Sequence, residues 1–182
     1  MNITLHRTTL LVCVLAGALA LAIALVAAKD VSAAPSPELA RGATQISGVA
    51  FFDAADTCDS ESVGADYALL MHGALEGCLY TFVDDENSQS PPQSSPSGTY
   101  RETGTELFVG TYLRKSGTFE TTYRWEAKFE DVANLSGEIF GRCQHPIVEG
   151  SGTGIFEGVS GILLFKDEVE SGTFFYRGHL RY

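Results

Sequence analysis

Residues 118–130 constrain the fold of this chain more than any other segment, because apolar and polar side chains alternate along them. Side chains of a β-strand point to opposite faces with a period of two, so one face of the segment suits an apolar interior and the other suits water. At roughly 3.4 Å per residue the segment would extend about 40 Å, twice the length of an ordinary strand. A strand of that length must bend or coil, as strands do when a sheet closes on itself, so the segment predicts a β-barrel. Its apolar face consists of Phe119, Tyr123, Trp125, Ala127 and Phe129.

The first 33 residues have the pattern of a secretory signal peptide. Arg7 gives them a positive start, residues 10–28 form an apolar run, and residues 31–33, Val-Ser-Ala, form a small-residue cleavage site. The apolar run is longer than in most signal peptides, so a membrane anchor that is not cleaved is the alternative. We predict cleavage and secretion, with residues 34–43 as a flexible leader because they contain prolines and few hydrophobic residues.

The rest of the chain, residues 44–182, has the size of one domain with a sizeable core. The full sequence carries 12 basic and 23 acidic residues, which gives a net charge of −11. An acidic surface repels phosphate backbones and anionic lipid headgroups. We therefore expect neither nucleic-acid binding nor membrane docking of the protein after signal cleavage.

Short apolar or alternating segments, separated by turn residues, continue through this domain. None of them has a helical period over enough residues for a stable helix. Regular short strands with tight turns are typical of an antiparallel sandwich or an up-and-down barrel. Gly104 and residues 115–117 are expected to lie between strands, and the polar residues 84–98 are expected to form a long exposed loop. Eight or nine strands are predicted, over about residues 46–52, 67–72, 75–83, 99–102, 106–113, 117–131, 138–148, 161–167 and 173–181.

Three cysteines follow the signal peptide, namely Cys58, Cys78 and Cys143. Export to an oxidising compartment predicts a disulfide and leaves one thiol over. We predict the pair Cys58–Cys78, whose loop of about 21 residues would contribute roughly 3 kcal/mol on the loop-entropy model. The alternative pairs Cys78 with Cys143, since strands that are distant in sequence become neighbours in a barrel.

The glycine-rich segment at residues 150–161 invites a nucleotide-binding interpretation. A Gly-x-Gly-x-x-Gly pattern that starts at Gly150 would need glycine at the position of Ile155, and no βαβ unit surrounds the segment. The glycines are instead expected to form tight corners with positive φ angles. The side chains expected to enter the core from this region are Phe156, Val159 and Leu163.

Residues 152–161 read Gly-Thr-Gly-Ile-Phe-Glu-Gly-Val-Ser-Gly and precede an apolar strand and a closing strand. They resemble the Gly-Thr-Gly-x-Phe-x-Gly-x-x-Gly segment of allene oxide cyclase-like and dirigent-like barrels of the calycin type, over about residues 97–182. The resemblance implies a single eight-stranded antiparallel up-and-down barrel, whose cavity binds a hydrophobic or phenolic small molecule and whose walls guide a cyclisation or coupling. It also implies that the protein can form oligomers. No catalytic residue is carried over, because no second motif aligns with the strands that hold such residues in those families.

The aromatic residues of the long segment, and of the strand before it, allow two interpretations. They can fill the barrel interior with side chains, as in most small barrels. They can instead line a cavity, since tyrosine and tryptophan make good walls for an aromatic ligand. The ligand-binding residues predicted under the second interpretation are Tyr112, Phe119, Tyr123, Trp125 and Phe129.

Cys143 and His145 share one face of a predicted strand and could supply half of a metal site. Zinc needs three or four protein ligands, and the spacing supplies no others. A nucleophilic Cys143 would need a paired base and a lowered thiol pKa, which no spacing indicates. We predict no metal and no cofactor, and the catalytic residues, if the protein has any, stay unknown at this point.

These observations predict a secreted β-barrel that binds a hydrophobic or aromatic small molecule, with or without a cyclase-like or isomerase-like activity that guides ring closure or coupling. The alternative is a non-catalytic extracellular structural or protein-interaction module, in which the acidic residues 84–98 contact a partner. A cavity inside the barrel favours the first function, and an interior filled with side chains favours the second. A catalytic role further requires a polar group that points into the cavity.

Overall fold

The computed structural model describes residues 42–88 and 98–182. The predicted signal peptide, most of the predicted leader and residues 89–97 of the predicted acidic loop lie outside the described residues. No helix within the described residues is long and apolar enough to cross a membrane. The elements are β1 (Ala43–Phe52), α1 (Ser60–Val63), β2 (Tyr67–Gly73), β3 (Leu75–Val83), β4 (Thr99–Tyr112), β5 (Lys115–Asp131), β6 (Ser136–Pro146), β7 (Thr153–Gly154), β8 (Ser160–Glu168) and β9 (Thr173–Arg181).

Strands β1 to β6, β8 and β9 form a closed antiparallel barrel of eight strands. Each of them pairs with the next one along the chain, and β1 pairs with β9 from Ala43 opposite Arg181 to Phe51 opposite Thr173, which completes the ring. The short strand β7 pairs only with the start of β5. The predicted eight-stranded up-and-down barrel is confirmed, and closure explains why β5 can run for 17 residues without leaving the sheet.

The predicted strand boundary at Gly104 is wrong. β4 continues through this residue, which pairs with Val83 on one side and Tyr123 on the other. A Cβ atom at position 104 would clash with the carbonyl oxygen of Phe82 and with the Tyr123 ring. Glycine is therefore needed here for the close approach of a neighbouring strand and a ring, and it does not end the strand.

The predicted turn at residues 115–117 is also wrong. The β4–β5 hairpin turns at Leu113 and Arg114, and both residues have positive φ angles, 51° and 62°. A two-residue hairpin loop whose twist matches its strands needs positive φ at both positions. Strand pairing, and not the presence of a glycine, sets the position of this turn.

One end of the barrel, which we name the plugged end, is filled by aromatic side chains. It carries residues 147–159, the connection between β6 and β8. From this connection Phe156 enters the interior and packs on Phe108 and Phe119, with ring centroids 5.7 and 4.9 Å away. The side chains predicted to reach the core from this region are all buried, namely Phe156, Val159 and Leu163.

The opposite end, which we name the mouth end, is braced from outside the barrel. Cys58, in the loop after β1, forms the predicted disulfide with Cys78 on β3. The Tyr80 hydroxyl donates a hydrogen bond to the carbonyl oxygen of Cys58, and both residues are buried against Ala68 in a cluster separate from the main core. Cys143 is a free, buried thiol, so the alternative pairing with Cys78 is absent. The disulfide thus holds the loop of the mouth end against the outer face of the sheet.

Candidate ligand-binding cavity

A cavity of about 280 Å³ lies inside the barrel. It opens toward the mouth end, where Phe52 is 58% exposed and the neighbouring lining residues Tyr67, Trp125 and Phe174 are half-buried. The interior of an eight-stranded barrel is either filled by side chains or left with room for one small ligand. In this barrel the plugged end is filled and the half nearer the mouth end is partly open.

Phenylalanine, tyrosine and tryptophan make up six of the twelve residues that line the cavity. Phe52 lies at the centre of a cluster near the opening, with its ring edge-to-face on Phe174 at 5.1 Å and on Tyr67 at 5.7 Å. These residues come from β1, β9 and β2, which are adjacent in the barrel. Such a wall suits a flat hydrophobic ring. The six aromatic lining residues are Phe52, Tyr67, Tyr123, Trp125, Phe165 and Phe174.

A buried acid–base pair, Glu106 of β4 and His145 of β6, forms part of the same wall. Each residue is 3% exposed, and His145 Nδ1 lies 2.5 Å from Glu106 Oε2. β5 runs between the two strands, and its Thr121 hydroxyl donates a hydrogen bond to Glu106 Oε2 at 2.6 Å. The Thr81 hydroxyl donates a longer bond, 3.4 Å, to Oε1. When Glu106 is ionised it accepts all three of these bonds, and the third donor is then the Nδ1–H group of His145.

The other ring nitrogen of His145 is free. Nε2 is buried and has no hydrogen-bond partner among the described residues. The imidazole is held in place by the Phe165 ring at a centroid distance of 4.3 Å and by the Tyr123 ring at 6.3 Å. An unpaired buried nitrogen costs free energy, so its presence needs an explanation. His145 lines the cavity, and no described residue occupies its Nε2.

A second carboxylate of the wall, Glu102, is held by two phenols. The Tyr123 hydroxyl donates to Glu102 Oε1 at 2.8 Å, and the Tyr100 hydroxyl donates to Oε2 at 3.1 Å. Burial, and next the negative charge of Glu102, raises the pKa of Tyr100 to about 12. Burial also raises the pKa of Tyr123. Both phenols therefore stay protonated at neutral pH and keep donating to the carboxylate.

A third carboxylate, Asp167 of β8, accepts a hydrogen bond from Trp125 Nε1 at 3.1 Å. It lies beside Glu138, and both carboxyl groups pack over Gly141, where a Cβ atom would clash with each of them. Burial, together with a hydrogen bond and charge repulsion from Asp167, raises the pKa of Glu138 to about 7. The two carboxyl groups therefore share a proton at and below neutral pH.

The cavity wall is acidic as well as aromatic. Its lining residues include three carboxylates and one imidazole, and none of them is a lysine or an arginine. The carboxylates are held by neutral donors and by His145, so their charge is only partly compensated. A wall of this kind favours ligands that are neutral or positively charged and disfavours anions.

The structure brings two of the predicted ligand-binding residues, Tyr123 and Trp125, to the cavity. Tyr112 and Phe119 lie at the plugged end, with their rings 6.3 and 4.9 Å from that of Phe156. Phe129 packs on Trp125 at 6.2 Å in a separate cluster of buried residues. The apolar face of β5 therefore supplies both packed core and cavity wall, and the two interpretations of its aromatic residues apply to different parts of the strand.

The acidic residues of the wall are site candidates that the alternation pattern of β5 does not reveal. Glu102 and Glu106 have the same parity in β4 as the buried Phe108, and Asp167 has the same parity in β8 as the buried Phe165. A carboxylate on the apolar face of a predicted strand is the signal in the sequence that could have identified them.

Cys143 and His145 share an inward face of β6. Within residues 42–88 and 98–182, no three His, Cys, Asp or Glu side chains form a group that could hold a metal ion. Burial, with repulsion from Glu106 and Asp167, raises the pKa of the Cys143 thiol. The thiol therefore stays protonated, which is the opposite of what a nucleophilic cysteine needs.

Comparison with protein-family models, with curated proteins and with solved structures finds no match for this chain. The closed eight-stranded antiparallel barrel is compatible with the calycin-like fold that the glycine-rich segment implies. Membership in a particular family stays a prediction. Function must therefore be argued from the cavity and its residues.

Proposed function

We propose that this protein is an extracellular β-barrel that binds a small hydrophobic molecule, of one or two rings, inside the barrel. The observation that carries the proposal is the cavity of about 280 Å³ with six aromatic rings in its wall. A barrel interior that serves stability alone is filled with side chains at the packing density of other cores. The resemblance of residues 152–161 to segments of allene oxide cyclase-like and dirigent-like barrels supports the same class of ligand.

The size of the cavity limits the ligand. Small-molecule sites typically have volumes of about 300 to 1,000 Å³, and this cavity lies at the lower end of that range. One ring, or two fused rings with a short substituent, matches this volume. A sterol or a long acyl chain does not.

The polar groups of the wall limit the charge of the ligand. Glu102, Glu106 and Asp167 give the cavity a negative potential that repels carboxylates and phosphates. The free Nε2 of His145 can accept a hydrogen bond or, when it is protonated, donate one. We therefore expect a neutral or cationic ligand with a hydroxyl, carbonyl or amine group near this nitrogen.

An extracellular location is supported by two independent features. The Cys58–Cys78 disulfide is of a kind that persists in oxidising compartments and is rare in the cytosol. The signal-peptide pattern of the first 33 residues agrees with export.

Trp125 provides a direct test of the binding proposal, because it is the single tryptophan of the sequence and lines the cavity. The protein is titrated with three nitroaromatic quenchers of similar size and different charge: para-nitroanisole, para-nitrobenzylamine and para-nitrobenzoate. We expect saturable quenching of Trp125 emission by the neutral and cationic compounds. The anion should bind at least about tenfold more weakly, because the wall carries uncompensated negative charge.

Two neighbouring residues of β2 offer a matched control. Leu69 is buried and lines the cavity, whereas Leu70 faces outward. Leu69→Phe should fill the cavity and weaken quenching at least about tenfold, and Leu70→Phe should leave it unchanged. Quenching that does not saturate, or that survives Leu69→Phe, would contradict binding inside the barrel.

A second candidate function, a cyclase-like or isomerase-like activity, is favoured by a specific observation. Catalysis inside a barrel requires a polar group that points into the cavity, and the buried pair of Glu106 and His145 meets this requirement. A wall made only of apolar residues would have favoured simple binding.

A further inference from the structure

We propose that His145 is a general acid–base residue that moves a proton on a carbonyl compound bound in the cavity, with Glu106 as its positioning residue. This inference rests on the proposed function, since it assumes that a small ring compound occupies the cavity. It goes beyond binding by assigning a reaction class, the isomerisation of a ketone through its enol or enolate. The geometry that carries it is the free Nε2 of a buried imidazole whose other nitrogen is bound to a buried carboxylate.

The pair has features that stability alone does not explain. Glu106 and His145 are each 3% exposed, and burying two ionisable groups is unfavourable unless all their polar atoms are satisfied. Three donors satisfy the carboxylate of Glu106, whereas Nε2 of His145 has none among the described residues. A half-satisfied polar pair destabilises a core in comparison with apolar residues of the same size. We infer that Nε2 is kept free for a ligand.

Glu106 determines which nitrogen of His145 carries the proton. An ionised Glu106 can only accept hydrogen bonds, so the ring nitrogen that faces it is then the protonated Nδ1. In the neutral imidazole the lone pair is then on Nε2, the nitrogen that no described residue uses. Phe165 and Tyr123 hold the ring plane in one orientation. The same arrangement of carboxylate, imidazole and reacting group underlies many proton-transfer sites.

The reaction is balanced without a further reagent. His145 Nε2 takes a proton from the carbon next to the carbonyl, and the electron pair of that C–H bond forms a carbon–carbon double bond while the carbonyl π electrons move to oxygen. The imidazolium that results is stabilised by the adjacent Glu106 carboxylate. It then returns the proton to the same carbon, to oxygen, or to a conjugated carbon, and the electron pairs move back accordingly. Substrate and product are isomers, so the composition of the ligand does not change.

The negative charge that develops on the carbonyl oxygen needs a hydrogen-bond donor. Tyr67 lines the same cavity, on β2. Burial, followed by repulsion from Glu102 and Glu106, raises the pKa of its hydroxyl, which therefore stays protonated. We assign Tyr67 as the donor to this oxygen, since the phenol of Tyr123 is already bound to Glu102.

The test uses β-tetralone, a two-ring ketone with acidic C–H groups beside its carbonyl. Its binding is followed by quenching of Trp125 emission, and proton abstraction is followed by NMR as the exchange of its α-hydrogens for deuterium in D₂O. The wild-type protein should bind the ketone and accelerate exchange above the buffer rate, in a saturable manner. Leu69→Phe should abolish both signals, which places the exchange inside the cavity.

Three variants separate the assigned roles. His145→Gln should lower the exchange rate by about 100-fold or more, as expected for the loss of a general base, while the ketone still binds. Glu106→Gln should lower the maximal rate at least about tenfold with little change in the dissociation constant, because a glutamine amide favours the wrong tautomer of His145. Gln144→Ala, an exposed neighbour of His145 on the outer face of β6, should leave both readouts unchanged.

The outcomes distinguish this inference from the proposed function. If the ketone binds and its exchange is not accelerated, or if His145→Gln retains the full rate, the proton-transfer role is wrong and the binding proposal stands. If β-tetralone does not bind to the wild-type protein, this inference falls, and the proposed function falls only if the nitroaromatic compounds also fail to bind. If His145→Gln does not fold, the proton-transfer role is judged from the wild-type protein and the isosteric Glu106→Gln variant. The role is wrong if the wild type does not accelerate exchange or if Glu106→Gln keeps the full rate.

Discussion

The two ends of this barrel are built from the same strands and differ in what their inward side chains do. At the plugged end, Phe156 packs edge-to-face on Phe108 and Phe119 inside the ring, and all three side chains are fully buried. Nearer the mouth end, the same faces of β4 and β5 carry Glu102, Glu106 and Tyr123 around an open cavity. The difference indicates that one end supplies stability from within and the other end is free to carry a site.

The mouth end is also supported from outside the ring. The Cys58–Cys78 disulfide and the cluster around Tyr80 hold the loop after β1 against the outer surface of β2 and β3. Support from outside leaves the interior of this end available for polar groups and a ligand. Because the plugged end is packed and the mouth end is supported from outside, this small barrel can hold the pair of Glu106 and His145, whose polar atoms are not all satisfied.

The largest effect on stability is expected from removing the Phe156 ring, which fills the plugged end. Phe156→Ala deletes a fully buried ring that contacts two other buried rings, so we expect the free energy of unfolding to fall by about 3 to 5 kcal/mol. Urea denaturation followed by circular dichroism measures this change. A loss below about 1 kcal/mol would show that the plugged end does not carry most of the stability.

The next largest effect on stability is expected from removing the Cys58–Cys78 disulfide, which braces the mouth end from outside. The double variant Cys58→Ser/Cys78→Ser removes a crosslink between residues 20 apart in sequence and should cost about 3 kcal/mol. The same loss should follow reduction of the wild-type protein under native conditions. Because the brace and the plug lie at opposite ends, the losses from this variant and from Phe156→Ala should add within about 0.5 kcal/mol. A strong departure from additivity would mean that the two ends are energetically coupled.

A smaller effect is expected at the opening of the cavity. Phe174 is half-buried and packs edge-to-face on Phe52, so Phe174→Ala should cost only about 1 kcal/mol of stability while it weakens ligand quenching of Trp125. The adjacent Phe175 points outward and is 49% exposed, and Phe175→Ala should leave both stability and quenching nearly unchanged. A stability loss for Phe174→Ala as large as that for Phe156→Ala would remove the contrast between the two ends.

The sequence predicts the parts of this molecule that depend on local pattern. Period-two alternation identifies the strands, including the long β5, and the glycine-rich connection identifies Phe156 as a core residue. The disulfide agrees with the prediction made from cysteine spacing and the predicted compartment. These features require only the parity of each strand and the chemistry of its turns.

The candidate site depends on register, which alternation does not contain. Glu106 and His145 are 39 residues apart and meet only because β5 places Thr121 between them. Glu138 reaches Asp167 through a β-bulge: Lys128 pairs with Phe140 and Phe129 pairs with Glu138, so Ile139 has no partner and the inward parity of β6 changes at this point. A one-residue change of parity cannot be read from the sequence of β6 alone, and it decides which carboxyl group enters the barrel.

The smallest expected effect is a pH dependence of stability that arises from Glu138, beside this bulge. The pKa of Glu138 rises from its ordinary value of 4.5 to about 7 in the folded protein, through burial and the nearby Asp167. Between these two values the folded state holds a proton that the unfolded state has released. The contribution of Glu138 to stability is therefore present below about pH 4.5 and is lost as the pH rises through about 7.

We expect the wild-type protein to lose on the order of 1 kcal/mol from this group between about pH 5 and pH 8, after allowance for partial solvent screening. Glu138→Gln stays neutral, so it should remove this part of the pH dependence and should be more stable than the wild type only at the higher pH. The exposed Glu157→Gln serves as the control and should leave the slope unchanged. Because Asp167 also binds Trp125 Nε1, Trp125 emission of the wild type should change over the same pH range and stay constant in Glu138→Gln. An unchanged slope in Glu138→Gln would mean that the two carboxyl groups do not share a proton, and that the mouth end is no more sensitive to pH than the plugged end.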